Sequence, residues 1–357
     1  MSARLEAEHL HKVFGRRPRE AAERLRGGAD REELRADGAT AAVIDASFTV
    51  EPGQIFVVMG LSGSGKSTLL RMLNGLLEPT AGRVRFDGQD LTALGATELR
   101  EVRARKISMV FQHFALFPHR SVLENAAYGL AVQGVPRAER EERAAEALRL
   151  CGLAGWERSW PDELSGGMQQ RVGLARALAT DADLLLMDES FSALDPLIRR
   201  DMQDQLLQLQ QTLKKTIVFI THDLNEAMRL GDRVAVMRDG RIVQNGTAED
   251  ILLRPANDYV ASFTKDVDRS RVLTAAAVMD TARGDEADCG CPTATPATPF
   301  GELCALSARV PHPVAVLDAD RALVGVVPPR RLVGFLGDRQ GDPEPCTSPR
   351  GQVTARA

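Results

Sequence analysis

The chain has 357 residues, 44% of them hydrophobic, and 45 Lys and Arg against 49 Asp and Glu give a formal net charge of −4. A chain of this length buries a substantial core, in one large domain with a smaller one or in two of middling size. The mild acidity argues against broad binding to nucleic acid, which relies on clustered cations, and no apolar run approaches the roughly 18–20 residues that span a bilayer.

Residues 1–14 read as a strand ending at Phe14, and their start, MSARLEAEHL, lacks the apolar core of a signal peptide, so a cytoplasmic chain is expected. The charged segment RRPREAAERLRGGADREELRADG has helix formers on both sides of Gly27 and Gly28, and predicts an inserted helical pair over about 15–40. From Ala41 short β-branched runs take over, and FDGQD around Asp87 and Gly88 has hairpin-turn chemistry. The pattern is helical again from about Val122 to Leu150, whereas DLLLMD, TIVFIT and RVAVMR read as strands. Strands alternating with helices predict an α/β fold with a mostly parallel sheet, interrupted by a helical insertion.

Past Lys265 the composition shifts. TARGDEADCGCPTATPATP is rich in Thr, Ala, Pro and Gly and predicts a linker over 266–299. PVAVLDADRALVGVVPPRRLVGFLG reads as two strands around an Asp-rich turn and then a short helix, and residues 338–357 read as a disordered tail. The five cysteines, Cys151, Cys289, Cys291, Cys304 and Cys346, have no framework spacing, which suits reduced thiols. CGCP has no second Cys or His pair at ligand spacing, so no zinc site is expected there.

Gly60-x-x-x-x-Gly65-Lys66-Ser67 matches the phosphate-binding P-loop pattern, with the apolar run IFVVM before it and the helical STLLRMLNGLL after it. Glycines let backbone N–H groups approach phosphate oxygens, and a helix N-terminus adds a favourable dipole. Lys66 would reach the β- and γ-phosphates and the Ser67 hydroxyl would ligate Mg²⁺, with Ser62, Gly63, Ser64 and Thr68 completing the wrap. DLLLMDES delivers two acids at the end of a buried strand, where unpaired charge is costly. Mg²⁺ would be the partner: Asp188 would hold it through water and Glu189 would polarise an attacking water. Taken alone, the pair also fits a solvated strand end. Gln112 and His222 each follow a predicted strand, where ligands of open α/β sheets collect, although either alone is more often structural. LSGGMQQ places Ser165, Gly166 and Gly167 at the start of a helix, which suits an anion or an ordinary serine cap.

The order P-loop, Gln112, LSGGMQQ, LLLMDE, SALD and His222 resembles the ATP-binding-cassette (ABC) ATPases over residues 1 to about 265. The resemblance implies a P-loop NTPase core with an antiparallel β subdomain and a helical subdomain at about 113–160. In that family the signature motif of one subunit covers the γ-phosphate held by the P-loop of the other. It implies that Ser165, Gly166, Gly167 and Gln169 act on a second copy's ATP, that Asp195 lies at the subunit contact, that Gln112 reaches the metal, and that His222 touches the γ-phosphate. Phe14 matches the aromatic position that stacks on adenine; many relatives have Tyr there. A closer resemblance, carried by MGLSGSGKST, MVFQHFALFPHRSVLENAAYGL, WPDELSGGM, LLLMDESFSALDPLIR and THDLNEAMRLGDRVAVM, is to the ATPase subunits of glycine betaine/proline (quaternary amine) importers. That implies a homodimer on the cytoplasmic membrane face, a separate transmembrane permease, a substrate-binding protein and no nucleic-acid partner. The alternative within the family is an importer ATPase for another small solute such as an amino acid. HPVAVLDADRALVGVVPPRRLVGFL resembles one cystathionine-β-synthase (CBS) repeat, expected as a small α+β unit over 300–337 that pairs across the dimer or persists as a remnant.

Overall fold

The computed structural model describes residues 4–112, 114–265, 267–281, 291–309 and 312–336. They fall into two compact units, Met1–Val267 and Asp268–Ala357.

In chain order the strands of the first unit are β1 (Leu5–Gly15), β2 (Ala39–Val50), β3 (Ile55–Met59), β4 (Ala81–Phe86), β5 (Gln89–Asp90), β6 (Ile107–Val110), β7 (Leu184–Asp188), β8 (Thr216–Thr221), β9 (Arg233–Arg238) and β10 (Arg241–Gly246). They form two sheets. The first is antiparallel, in the order β2-β1-β4-β5, and its tightest turn places Asp87 and Gly88 at φ 51° and 77°, the left-handed pair that a two-residue hairpin needs. The second runs β10-β9-β3-β8-β7-β6, parallel except for the edge pair β9/β10. Every residue of β3, β7 and β8 is buried, as their unbroken apolar runs require of strands covered on both faces.

Strand order decides where the chemistry goes. β3, β8, β7 and β6 are consecutive neighbours, so their carboxyl ends deliver the P-loop, His222, Asp188–Glu189 and Gln112 side by side, where ligands of open α/β sheets collect. The helices Pro18–Arg26 and Arg31–Ala36 lie between β1 and β2 and pack on their own small cluster of Val13, Ala21, Ala22, Leu25, Leu34, Ala39, Ala41 and Ile44. Helices Val122–Ala126, Tyr128–Val132 and Arg137–Leu150 precede the helix Gly166–Ala179. The first is closed by a capping box: Ser121 Oγ accepts from Glu124 N while Ser121 N donates to Glu124 Oε2.

The second unit carries β11 (Asp280–Thr281), β12 (Thr293–Ala294), β13 (Val314–Leu317) and β14 (Leu323–Val327), in the order β11-β14-β13-β12. The linker expected over 266–299 is corrected where it is described. It contains the helices Arg269–Val272 and Ala275–Val278 and both outer strands, and it buries Leu273, Ala275, Val278 and Ala294. Small apolar anchors at wide spacing suffice because the β13–β14 hairpin supplies the rest of the core. The unit therefore starts at Asp268 rather than near 300. Cys151 and Cys304 are free, but Cys291 is disulfide-bonded, which corrects the expectation of five reduced thiols. Cys289, Cys346 and the expected tail lie outside the described residues.

Candidate functional site

The P-loop turns back on its own lysine. Gly65 adopts φ 104°, and a Cβ there would sit 2.2 Å from the Ala42 carbonyl oxygen, so only glycine fits. Gly240 N donates to Ser64 O (3.0 Å) and Ile44 N to Gly240 O (2.8 Å), tying the loop to both sheets. Lys66, the first residue of the helix Lys66–Leu73, is 4% exposed. Its Nζ donates to Gly60 O (2.9 Å) and Leu61 O (3.1 Å) and lies 3.5 Å from Glu189 Oε1. Burial lowers the Lys66 pKa, against the opposing pull of Glu189. Ser62 and Gly63 are exposed at the tip, and Thr68 is half-buried on the helix. Ser64 Oγ is buried with no hydrogen-bond partner among the described residues.

β7 ends by aiming its two acids apart. Asp188 is 8% exposed and accepts from Ser67 Oγ at 3.1 Å, and burial raises its pKa. Glu189 adopts φ 41°, a left-handed conformation that a non-glycine residue keeps only when its surroundings hold it. Its N donates to Ile220 O (3.0 Å), its carbonyl accepts from Ser192 Oγ (2.8 Å), and its Oε2 lies 2.9 Å from His222 Nδ1. Gln112 Nε2 approaches Ser192 Oγ at 3.5 Å. Lys66, Ser67, Asp188, Glu189 and His222 thus form one contact network built from three adjacent strand ends, with Gln112 linked to it through Ser192.

The fit to Mg²⁺ rests on the donors. Ser67 and Asp188 present hard oxygens side by side, and Mg²⁺ takes one or two such protein groups together with substrate phosphates. No cluster of three or more His, Cys, Asp or Glu suited to a metal occurs among the described residues. The buried Lys66 cation, the glycine cradle and the orphaned Ser64 hydroxyl suit a polyphosphate.

The other predicted residues stand apart from this network. Ser165 caps the helix Gly166–Ala179, accepting from Met168 N at 3.3 Å, and is exposed together with Gly166. Gln169 Nε2 donates to Pro161 O (2.9 Å) and Leu164 O (3.2 Å), so its amide braces the turn leading into the helix. At Gly167 a Cβ would meet Ile198 Cγ2 at 2.5 Å, which places the signature turn against the next long helix, Pro196–Leu213. Asp195 caps that helix, accepting from Leu197 N (3.2 Å) and Ile198 N (3.1 Å). The Phe14 ring is 42% exposed, with Lys12 Nζ 5.3 Å from its centroid. Sequence reasoning missed Arg176 and Arg199. Arg176 NH1 donates to Ala115 O (2.6 Å) and NH2 to Phe114 O (3.0 Å), holding two residues at φ 49° and 54° just after Gln112. One arginine on a largely apolar helix carries no sequence signal for such a role.

Residues 43–192 match the ABC transporter family. The chain is 57% identical over 288 residues to the glycine betaine transport ATP-binding protein OpuAA of Bacillus subtilis, covering 80% of this chain and 69% of that protein. The chain belongs to the ABC transporter family. The ATP-binding chains of this family are ATPases coupled to transport, and this cassette is one. It is also 55% identical over 276 residues to the glycine betaine/proline betaine transport system ATP-binding protein ProV of Escherichia coli, covering 77% of this chain and 69% of ProV. With the trimethylamine N-oxide transport system ATP-binding protein TmoW of Ruegeria pomeroyi it shares 45% identity over 337 residues, 94% of this chain and 95% of TmoW. Among solved structures, the dimeric post-hydrolysis state of the ATP-binding cassette MJ0796 bound to ADP and Pi superposes with a TM-score of 0.58 at 30% identity, covering 68% of this chain and 98% of that one.

Proposed function

We propose that this cassette hydrolyses ATP to power import of glycine betaine or a related trimethylated amine through a separate permease. The observation that carries the substrate class is the 57% identity to a glycine betaine transport ATP-binding protein, 69% of which the chain covers. The trimethylamine N-oxide relative extends over 94% of this chain and favours a second cargo with the same trimethylated nitrogen. Lys66 and the P-loop amides bind the β- and γ-phosphates, and Phe14 offers its exposed ring to adenine. Ser67, Asp188 and Gln112 would hold Mg²⁺, which when bound neutralises charge on the phosphate oxygens. Glu189 accepts the proton of the attacking water, and His222, in contact with the Glu189 carboxylate, fixes its direction and reaches the γ-phosphate.

Ser165, Gly166 and Gly167 serve the ATP of a second copy, with Asp195 at the contact and Gln169 holding the turn in shape. That arrangement accounts for a capped, exposed helix start whose hydrogen bonds do not reach the Lys66 network. The working assembly is a homodimer on the cytoplasmic membrane face, with a permease and a substrate-binding protein. The β13–β14 hairpin around Asp318 and the following helix support a CBS-like reading of the second unit, one repeat per chain, which pairs across the dimer or persists as a remnant.

The test is uptake of labelled glycine betaine and of trimethylamine N-oxide into ATP-loaded vesicles carrying this chain with its permease and binding protein. ATP-dependent uptake of either is expected. ATP hydrolysis with uptake of neither, but of an amino acid, would transfer the assignment to another solute.

A further inference from the structure

Behind Glu189 and His222 lies a polar network that the reaction as described does not use. Its centre is Arg199, on the first turn of the helix Pro196–Leu213, with a side chain 27% exposed. The guanidinium faces two ways. NH2 donates to Leu194 O (3.1 Å) and Ser192 O (3.4 Å), the turn that follows Glu189. NH1 donates to Asp223 Oδ2 (3.2 Å), and Nε lies 3.8 Å from Glu226 Oε1 without a hydrogen bond of its own.

The far side of the network brackets His222. Asp223 N donates to Thr221 Oγ1 (2.9 Å), and Thr221 Oγ1 donates to Glu226 Oε2 (2.6 Å). Asp223 Oδ1 accepts from Asn225 N at 2.8 Å, so the residues immediately before and after His222 are both pinned. Glu226 is 3% exposed, burial raises its pKa, and its other oxygen accepts from Gln203 Nε2 (3.3 Å). On the near side Ser192 holds the Glu189 carbonyl. Glu189 and His222 stand 33 residues apart in sequence and each follows a different strand, and Arg199 is a cation that bonds to both of the turns carrying them.

We propose that Arg199 is a positioning residue for hydrolysis, acting with Asp223 and Glu226 to set the separation and direction of the Glu189–His222 pair. The proposal rests on the reading of that pair as the hydrolytic one. A planar fork with donors fixed in one plane meets two carbonyls and a carboxylate at once, which a lysine ammonium cannot reproduce. A buried carboxylate such as Glu226 is retained at a cost that apolar packing would avoid, and its contacts here run to Thr221, the residue before His222, and to Gln203 and Arg199 on the helix Pro196–Leu213. The same turn leads directly to Asp195, so a shift of that turn would move the Arg199 fork and with it His222.

The test measures kcat, ATP affinity and the histidine side-chain NMR resonances of the full chain for Arg199→Gln and Arg199→Lys. His222 is assigned among the six histidines with His222→Gln. Arg199→Gln is expected to lower kcat about 10- to 100-fold, the scale of a small misplacement of a reacting group, to leave the Kd for ATP within about twofold, and to shift the His222 resonances. Arg199→Lys should fall in between. Parental kcat with unmoved His222 resonances overturns the proposal, as does a parallel loss of kcat, ATP affinity and thermal stability. If Arg199→Gln fails to fold, Glu226→Gln keeps shape, removes the charge and carries the same expectations and the same overturning results. Should Glu189→Gln hydrolyse at the parental rate, the reading of the pair fails, while the His222 resonances still report whether Arg199 positions it.

Discussion

Lys66 and Ser165 both stand at the start of a helix beside glycine, Gly65 before the one and Gly166 and Gly167 after the other, yet their side chains are used in opposite ways. Around Lys66, groups from three adjacent strand ends converge: Ser67 reaches Asp188, and Glu189 touches both Lys66 and His222. Around Ser165 the hydroxyl caps its own helix and Gln169 braces the turn before it. The first region is assembled by the topology of one chain. The second is locally satisfied and faces outward, so any part it takes in phosphate chemistry needs a ligand held elsewhere. A motif's contacts thus separate a group engaged by neighbouring strand ends from one that caps its own helix.

Glu189→Gln is the sharpest way to break the first region. It should lower ATP hydrolysis by roughly 10²–10⁴-fold, the usual worth of a positioned general base, while ATP binding persists and a nucleotide-bound dimer accumulates. Steady-state hydrolysis and size-exclusion chromatography with ATP read the two effects, and a parental rate would remove Glu189 from the base role. Ser165→Ala sharpens the contrast. Loss of the cap should cost about 1 kcal/mol of stability, while nucleotide affinity of the monomer, governed by the Lys66 region, stays put and hydrolysis by the dimer falls several-fold. A drop in monomer affinity matching the drop in hydrolysis would place Ser165 in its own chain's site.

The smallest effect belongs to Cys151, whose charged neighbour is Arg171 on the helix that Ser165 caps. Burial pushes its thiol up to about 12, against about 8.5 in an unfolded chain. Between those values the unfolded chain gives up the proton and the folded one keeps it, so stability from this group is complete below about pH 8.5 and declines as pH rises toward 12. The thermal midpoint should therefore slope downward above about pH 8.5, less steeply in Cys151→Ala. Iodoacetamide at pH 8 should spare Cys151 in the folded chain. Rapid alkylation there would show that the site opens.

The P-loop was legible because its chemistry is local: glycine spacing, lysine and serine lie within eight residues, and the flanking apolar strand and helix confirm their setting. The parallel sheet was legible for the same reason, since fully buried strands such as LLLMD write themselves as unbroken apolar runs. The contact between Glu189 and His222 was not, because strand order, which no single segment encodes, makes β7 and β8 neighbours. Family resemblance placed His222 at the γ-phosphate, and the contact itself comes from the fold. Arg199, Glu226 and Arg176 escaped notice because a charged residue on a helix looks the same in sequence whether it faces water or a buried carbonyl. The second unit was under-read for a different reason: Ala275, Val278 and Ala294 are small, and a core completed by a neighbouring hairpin needs little signal in the segment that lines it.

The paired helices between β1 and β2 rest on a hydrophobic cluster of their own, and their only link by charge to the rest of the first unit, among the described ion pairs, is Arg31 to Asp239 at 3.0 Å. Their apex at Gly27 and Gly28 is exposed, whereas their base shares the support of the P-loop, since Ile44 of the same cluster donates to Gly240 O and Asp239 precedes Gly240. That makes the exposed apex, rather than the base of the pair, the splice point where a fluorophore or an epitope can be carried.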